Sequence, residues 1–146
     1  MSVLDEVGGY LALQAVAGTS AGATFSLTKS WLPDSTALQD KVVALTQTPG
    51  RKPTPYRLEL DYPGIQVLVR GDQISNVSGA YAAAEAEMNS VYLALHGYGP
   101  GYLPSTSGTS RYYVMIEANH MPSMLHVDPV NRPVLFCNFT ATRSRT

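Results

Sequence analysis

The sequence predicts an α+β domain, with helices packed on one face of a mainly antiparallel sheet. Three observations carry that reading. Residues 56–61 alternate Tyr56, Leu58 and Leu60 with Arg57, Glu59 and Asp61, and residues 65–71 alternate Ile65, Val67 and Val69 with Gln66 and Arg70, the period of two that marks strands. Tyr81, Ala84, Met88, Val91, Tyr92 and Leu95 then fall on one stripe of a helix, opposite Glu85, Glu87, Asn89 and Ser90. Strand-like segments lie both before and after that helix, which is the pattern of an α+β fold.

At 146 residues the chain is expected to form a single domain. Its first element is a helix over residues 2–17: Val3, Leu4, Val7, Leu11 and Ala15 are helically spaced, Ser2 stands at the cap position, and Asp5 and Glu6 occupy the first turn. Gly8 and Gly9 each cost such a helix about 1 kcal/mol relative to Ala, so they imply tertiary support or a close backbone approach. A loop at 18–22 leads to a strand over 24–32, with Phe25, Leu27 and Trp31 on one side. Val42, Val43 and Leu45 mark a strand over 41–48, and the prolines of 49–55 end it, with Arg51 and Lys52 at the loop tip.

Leu68 breaks the polar side of the 65–71 segment, so this strand is expected to be central and covered on both faces. Pro63-Gly64 is turn chemistry and joins it to 56–61 through a hairpin or a bend. The helix over 76–96 is expected to start on Asn76 or Ser78 and to end at a left-handed Gly97. Residues 97–110 show no periodicity and read as a long functional loop bearing Tyr98, Tyr102 and Leu103. Strands are expected at 111–118 and 134–142, a turn at 128–133 with Asn131 left-handed, and an exposed tail at 143–146.

Composition narrows the function. Charged residues are 14% of the chain, against about 25% in ordinary soluble domains, while nine tyrosines are present. Interface cores are depleted in charge and enriched in Tyr and Arg, so this balance favours an assembling subunit over a plain monomer. A net charge of −1 gives no basic field for nucleic acid or anionic lipid. A single cysteine, Cys137, rules out an internal disulfide, and no apolar run approaches the ~20 residues of a membrane span. With no basic-then-apolar leader pattern, a reducing cytosol is the expected place of folding.

Chemistry-bearing residues are sparse. Glu117, His120, His126 and Asp128 lack metal-ligand spacing, and Cys137 sits in an apolar strand where a thiol behaves as a small hydrophobe. No catalytic, cofactor or metal site is predicted. The residues expected to meet partners are Arg51, Lys52, Tyr98, Tyr102 and Leu103. Asp128, Asn131 and Arg132 are expected to hold a turn, through Asp128 accepting backbone N–H groups or pairing with Arg132.

Two blocks, Ile65-Gln66-Val67-Leu68-Val69-Arg70-Gly71 with the helix ending Leu95-His96-Gly97, and Pro122 through Leu125, Asp128, Arg132 and Asn138-Phe139, resemble the tail terminator (tail completion) proteins of long-tailed bacteriophages, often labelled phage minor capsid proteins. The resemblance implies a small α+β subunit that forms a hexameric ring, caps the last ring of tail-tube protein and meets the head connector on its other face. It implies a structural virion protein and not an enzyme, with no cofactor and no membrane, assembled in the host cytoplasm, with DNA only passing through the lumen. The alternatives are another head–tail neck component, or a small ligand-binding or hydrolytic α+β domain.

Overall fold

Ser2 closes the first helix on itself. Its hydroxyl accepts the Asp5 N–H at 3.1 Å while the Asp5 carboxylate accepts the Ser2 backbone N–H at 3.3 Å, a capping box that opens α1 (Val3–Leu13). The structure, a computed structural model, describes residues 2–14, 25–29, 40–52, 59–104, 108 and 110–145. Gly8 and Gly9 are buried, and a Cβ on Gly8 would touch Leu27 and Leu45 at 3.4 and 3.5 Å. The glycine face is therefore where the helix lies against the sheet. Residues 15–17 of the expected helix, Trp31, residues 53–55 of the proline loop and residues 56–58 of the strand expected over 56–61 lie outside the described residues.

Among the described residues eight strands form one sheet, in the order β1 (Ser26–Thr28), β2 (Val42–Thr48), β4 (Gly64–Arg70), β8 (Pro133–Ser144), β6 (Tyr112–Ala118) and β5 (Gly101–Tyr102). Pairing is antiparallel except between β1 and β2. The remaining strands, β3 (Leu60–Asp61) and β7 (Ser123–Val127), both pair with β8. Val43, Val69 and Leu135 stand in register across β2, β4 and β8, and so do Leu45, Val67 and Cys137. That row is the core face. As expected, β4 is central and its Ile65, Val67 and Val69 are fully buried.

The second helix, α2 (Ala80–Leu95), rests on this face through Ala84, Met88, Val91 and Leu95, each with no solvent exposure. Burial of each large side chain contributes about 1.5 to 3 kcal/mol, so the contact is a main source of stability. Gly97 is left-handed, φ 80°, as its position predicts. The helix start is corrected. Asn76 and Ser78 lie before it, and Gly79, φ 77°, opens the helix without a side-chain cap, because Asn76 and Val77 donate their N–H groups to Gln73 in a preceding turn. Tyr81 also leaves the core stripe: it is 40% exposed, and Ala80 takes the buried place beside Ala84.

Pro63-Gly64 makes no hairpin, since β3 and β4 both pair with β8 and not with each other. Gly64 is extended at the start of β4 and lies against Gly50, φ 70°. A Cβ on Gly64 would fall 2.1 Å from Thr48 Oγ1 and 2.7 Å from Gly50 N, so the end of β2 passes too close for any side chain. The strand expected over 111–118 forms as β6 without a single alternation. A bulge between Tyr113 and Met115 shifts the register, so Tyr113 and Ile116, three apart, both reach the core and Val114 and Met115 stay exposed.

The expected C-terminal tail is part of the sheet. Strand β8 runs on through Arg143, which is 6% exposed and paired with Glu6 and Asp61, because Tyr112, Tyr113 and Leu60 extend the sheet beyond the predicted strand end. Strand β7, between Pro122 and Pro129, was not among the expected elements.

Candidate functional site

The positions expected to meet partners fall in separate places. Arg51 and Lys52 are exposed just beyond β2, where the Arg51 N–H donates to the Tyr62 carbonyl at 3.0 Å and its guanidinium sits 5.4 Å from the Tyr62 ring centre. An exposed cation–π contact of this kind contributes about 0.5 to 1 kcal/mol. It orients the arginine and leaves its charge facing outward.

The described part of the 97–110 segment is tied down. The Gly97 N–H donates to the Ile116 carbonyl and the Ile116 N–H to the Tyr98 carbonyl, at 2.8 and 2.9 Å, so the segment borders β6. The Tyr98 ring packs 5.2 Å from Tyr10, and its hydroxyl donates to the Tyr102 carbonyl at 2.8 Å. Tyr102 itself is 68% exposed, its ring meeting Tyr112 edge-on at 5.3 Å across β5 and β6. Leu103 is corrected from surface anchor to core residue at 1% exposure. The strand alternation of β5 continues through it: Tyr102 points out, so its neighbour points in.

Asp128, Asn131 and Arg132 are brought together. Asp128 Oδ1 accepts the N–H groups of Val130 and Arg132 at 3.0 and 2.9 Å, while Oδ2 accepts Arg132 Nε at 2.7 Å. Partial burial works against the charge, but the Arg132 backbone N–H, its guanidinium and the Val130 N–H hold the carboxyl below the usual aspartate range. Asn131 takes φ 65°, and Arg132 Nη1 reaches Asp40 at 3.0 Å. Arg70 Nε donates to the Asp40 carbonyl at 2.8 Å. The turn between β7 and β8 is thereby fastened to the chain entering β2.

The histidines and the thiol do not converge. The Asn138 N–H donates to His120 Nε2 at 3.2 Å, the other ring nitrogen faces the Met121 carbonyl at 2.7 Å, and the ring packs on Phe136. Cys137 Sγ donates to the His120 carbonyl at 3.4 Å, not to an imidazole nitrogen, and burial pushes its pKa up to about 11. His126 is exposed on β7, and Glu117 is half-buried on β6. Among the described residues no group of three or more His, Cys, Asp or Glu is placed to hold a metal ion, and no helix is long and apolar enough to cross a membrane.

The feature that sequence reasoning missed surrounds β7. All five of its residues are exposed, and it pairs with β8 alone, so its outer edge has no strand partner among the described residues. Met121, Met124, Leu125, Val127 and Val130 present apolar surface there. Beside it a groove of about 190 Å³ opens between β7 and α2, lined by Tyr81, Glu85, Met88, Asn89, Met121 and Met124 among others. The signal lay in the chain: Pro122 and Pro129 frame an uncharged strand-length run, Ser123 to Val127.

No curated protein matches the chain. Its fold is similar to that of a chain in the structure described as the virion of a native gene transfer agent particle, with a TM-score of 0.64, 17% identity, and coverage of 98% of this chain and 95% of that one. The profile of the bacteriophage tail terminator protein family matches residues 21–145, which include all eight described strands and α2. The chain therefore belongs to the bacteriophage tail terminator family, structural proteins of the phage tail.

Proposed function

We propose that this protein closes the tail tube as a hexameric ring, stops tube polymerisation and presents its opposite face to the head connector, with DNA passing through the lumen without sequence-specific contacts. The family match over residues 21–145 is the observation that carries the reading. Physical support comes from the surface: low charge, rigid exposed aromatics and an uncharged apolar edge suit a subunit whose surfaces are covered by neighbours. A ring built from one kind of subunit uses heterologous contacts, one patch against a different patch of the next copy, and closure limits growth.

In this reading Arg51 and Lys52 meet an acidic surface of the tube or connector protein, Tyr98 stiffens the presentation of Tyr102, and the place of action is the neck of the virion after assembly in the host cytoplasm. Electron micrographs of lysates from phage lacking the protein test it. Free heads beside tails of uncontrolled length are expected. Normal, fully joined particles would overturn the reading.

A further inference from the structure

Resting on the ring reading, we propose that Tyr102 of one subunit inserts into the groove between α2 and β7 of the next copy, and that this anchor and socket form the lateral contact of the ring.

The socket is chemically matched to a tyrosine. Three methionines, Met88, Met121 and Met124, are among its lining residues, and a sulfur–aromatic contact contributes about 0.3 to 1.5 kcal/mol where a thioether meets a ring. Glu85 and Asn89 stand on the same lining and supply acceptors for a phenol O–H, so the groove offers an apolar body and a polar tip, as a buried tyrosine requires. Its size, about 190 Å³, suits one aromatic side chain and not a larger ligand.

The anchor is on the same chain. Tyr102 is the most exposed aromatic residue among those described, at 68%, yet it is held at two points: the Tyr98 hydroxyl donates to its carbonyl at 2.8 Å, and its ring meets that of Tyr112 edge-on at 5.3 Å. A side chain fixed before contact loses little conformational entropy on docking, which is how buried aromatic anchors dominate interfaces. Residues 97–110 and 123–127 contain no Asp, Glu, Lys or Arg, so Glu85 on the groove meets no second carboxylate in the segment that carries Tyr102. Within one chain Tyr102 lies on β5, beyond β6, while the groove lies beside β7 and α2. The two patches are different surfaces, and pairing them between copies gives the heterologous contact a ring needs.

Three samples test it: wild type, Tyr102→Ala and Met124→Glu, with sedimentation velocity over a concentration series and thermal melts as the fold control. Both substituted residues are exposed, so melts within a few degrees of wild type are expected. Each variant should weaken subunit association at least about 30-fold, the factor for losing an interface hot spot. Cross-linking fixes the pairing. A mixture of Pro104→Cys and Leu125→Cys proteins, exposed positions beside the anchor and the groove that leave Tyr102 and Met124 in place, treated with a short bismaleimide should yield a covalent dimer, while either variant alone should not; wild type, with only buried Cys137, is the blank. Wild-type rings with unaffected variants, or cross-linking of Pro104→Cys with itself, would overturn the anchor and leave the ring reading standing. A wild type that stays monomeric both in solution and on purified tails would overturn the ring reading and the anchor with it. Variants that form rings normally but fail to join tails would assign the groove to another virion protein and overturn the lateral contact.

Discussion

Arg143 Nη1 lies 2.9 Å from Glu6 Oε2, joining the last strand to the first helix inside the protein. Glu6 is fully buried and also accepts the Tyr113 hydroxyl and, at 3.0 Å, the Arg111 N–H; Arg143 Nε meets Asp61 at 3.0 Å. Burial works against the Arg143 charge, but the Asp61 carboxylate and the Tyr113 hydroxyl more than offset it and raise its pKa; burial and Glu6 push the Tyr113 phenol upward too.

Removing one partner of this pair leaves a charge stranded in the core. Arg143→Met is expected to cost about 3 to 5 kcal/mol, read as a lower midpoint in urea unfolding. The double change Glu6→Leu with Arg143→Met should recover part of that loss, since no buried charge is then left alone. A single variant that unfolds like wild type would show that α1 is held by its apolar face only.

The helix–sheet contact gives a second expectation. Leu95→Ala should cost about 2 to 5 kcal/mol, the range for large-to-small core changes, whereas Tyr81→Ala should cost under about 1 kcal/mol because its ring is 40% exposed. Equal losses for the two would contradict the packing described for α2.

Glu87 sets a pH dependence. Partial burial pushes its pKa up to about 7 against the opposing pull of Lys41, and its Oε1 has no hydrogen-bond partner among the described residues. A carboxyl whose folded pKa is raised adds stability at pH below its unfolded value, near 4.5, and that contribution is lost as pH rises through about 7. Glu87→Gln should therefore raise the melting temperature at pH 8, by the equivalent of about 1 to 2 kcal/mol, and change little at pH 4. Melts across that range give the slope directly, and a variant with the wild-type slope would assign the pH dependence elsewhere.

Asp128 has the opposite sign. Its carboxyl is held below the usual aspartate range, so its contribution is present above about pH 4 and lost as pH falls. Asp128→Asn should destabilise by about 1 to 3 kcal/mol at pH 7, and the gap to wild type should narrow toward pH 3.

Cys137 is expected to resist alkylation. With its thiol pKa at about 11 and its side chain buried, labelling at pH 8 should be at least about 100-fold slower than for a free cysteine and should rise to the free rate in denaturant. Fast labelling of the folded protein would place the thiol at the surface.

The parts of the fold legible in the sequence are those where one face decides. The stripe from Ala84 to Leu95 and the alternation of Ile65, Val67 and Val69 identify α2 and the central strand, because burial on a flat sheet leaves a regular period. Where structure departs from a single period, the reading fails for stated reasons. The bulge after Tyr113 breaks alternation, Gly79 opens a helix that two better caps precede, and β7 buries neither face and so leaves no contrast between them. Arg143 looks like a tail residue because nothing local announces its partners Glu6 and Asp61, 137 and 82 positions away. Of the expected contact residues, Arg51, Lys52 and Tyr102 are exposed and Leu103 is not, a distinction set by one step of strand alternation.

Strand β8 pairs with β3, β4, β6 and β7, and of the described elements it is the last to leave the ribosome. Before it arrives, β4 has only β2 beside it, and β6 and β7 have no β8 to pair with. A nascent chain halted before residue 133 holds half a sheet with open edges, and the pairings that join β4 to β6, β3 and β7 through β8 all await the final segment. A translation product that ends before residue 133 therefore cannot complete the sheet, and the order of synthesis withholds the finished fold until its most connected strand is made.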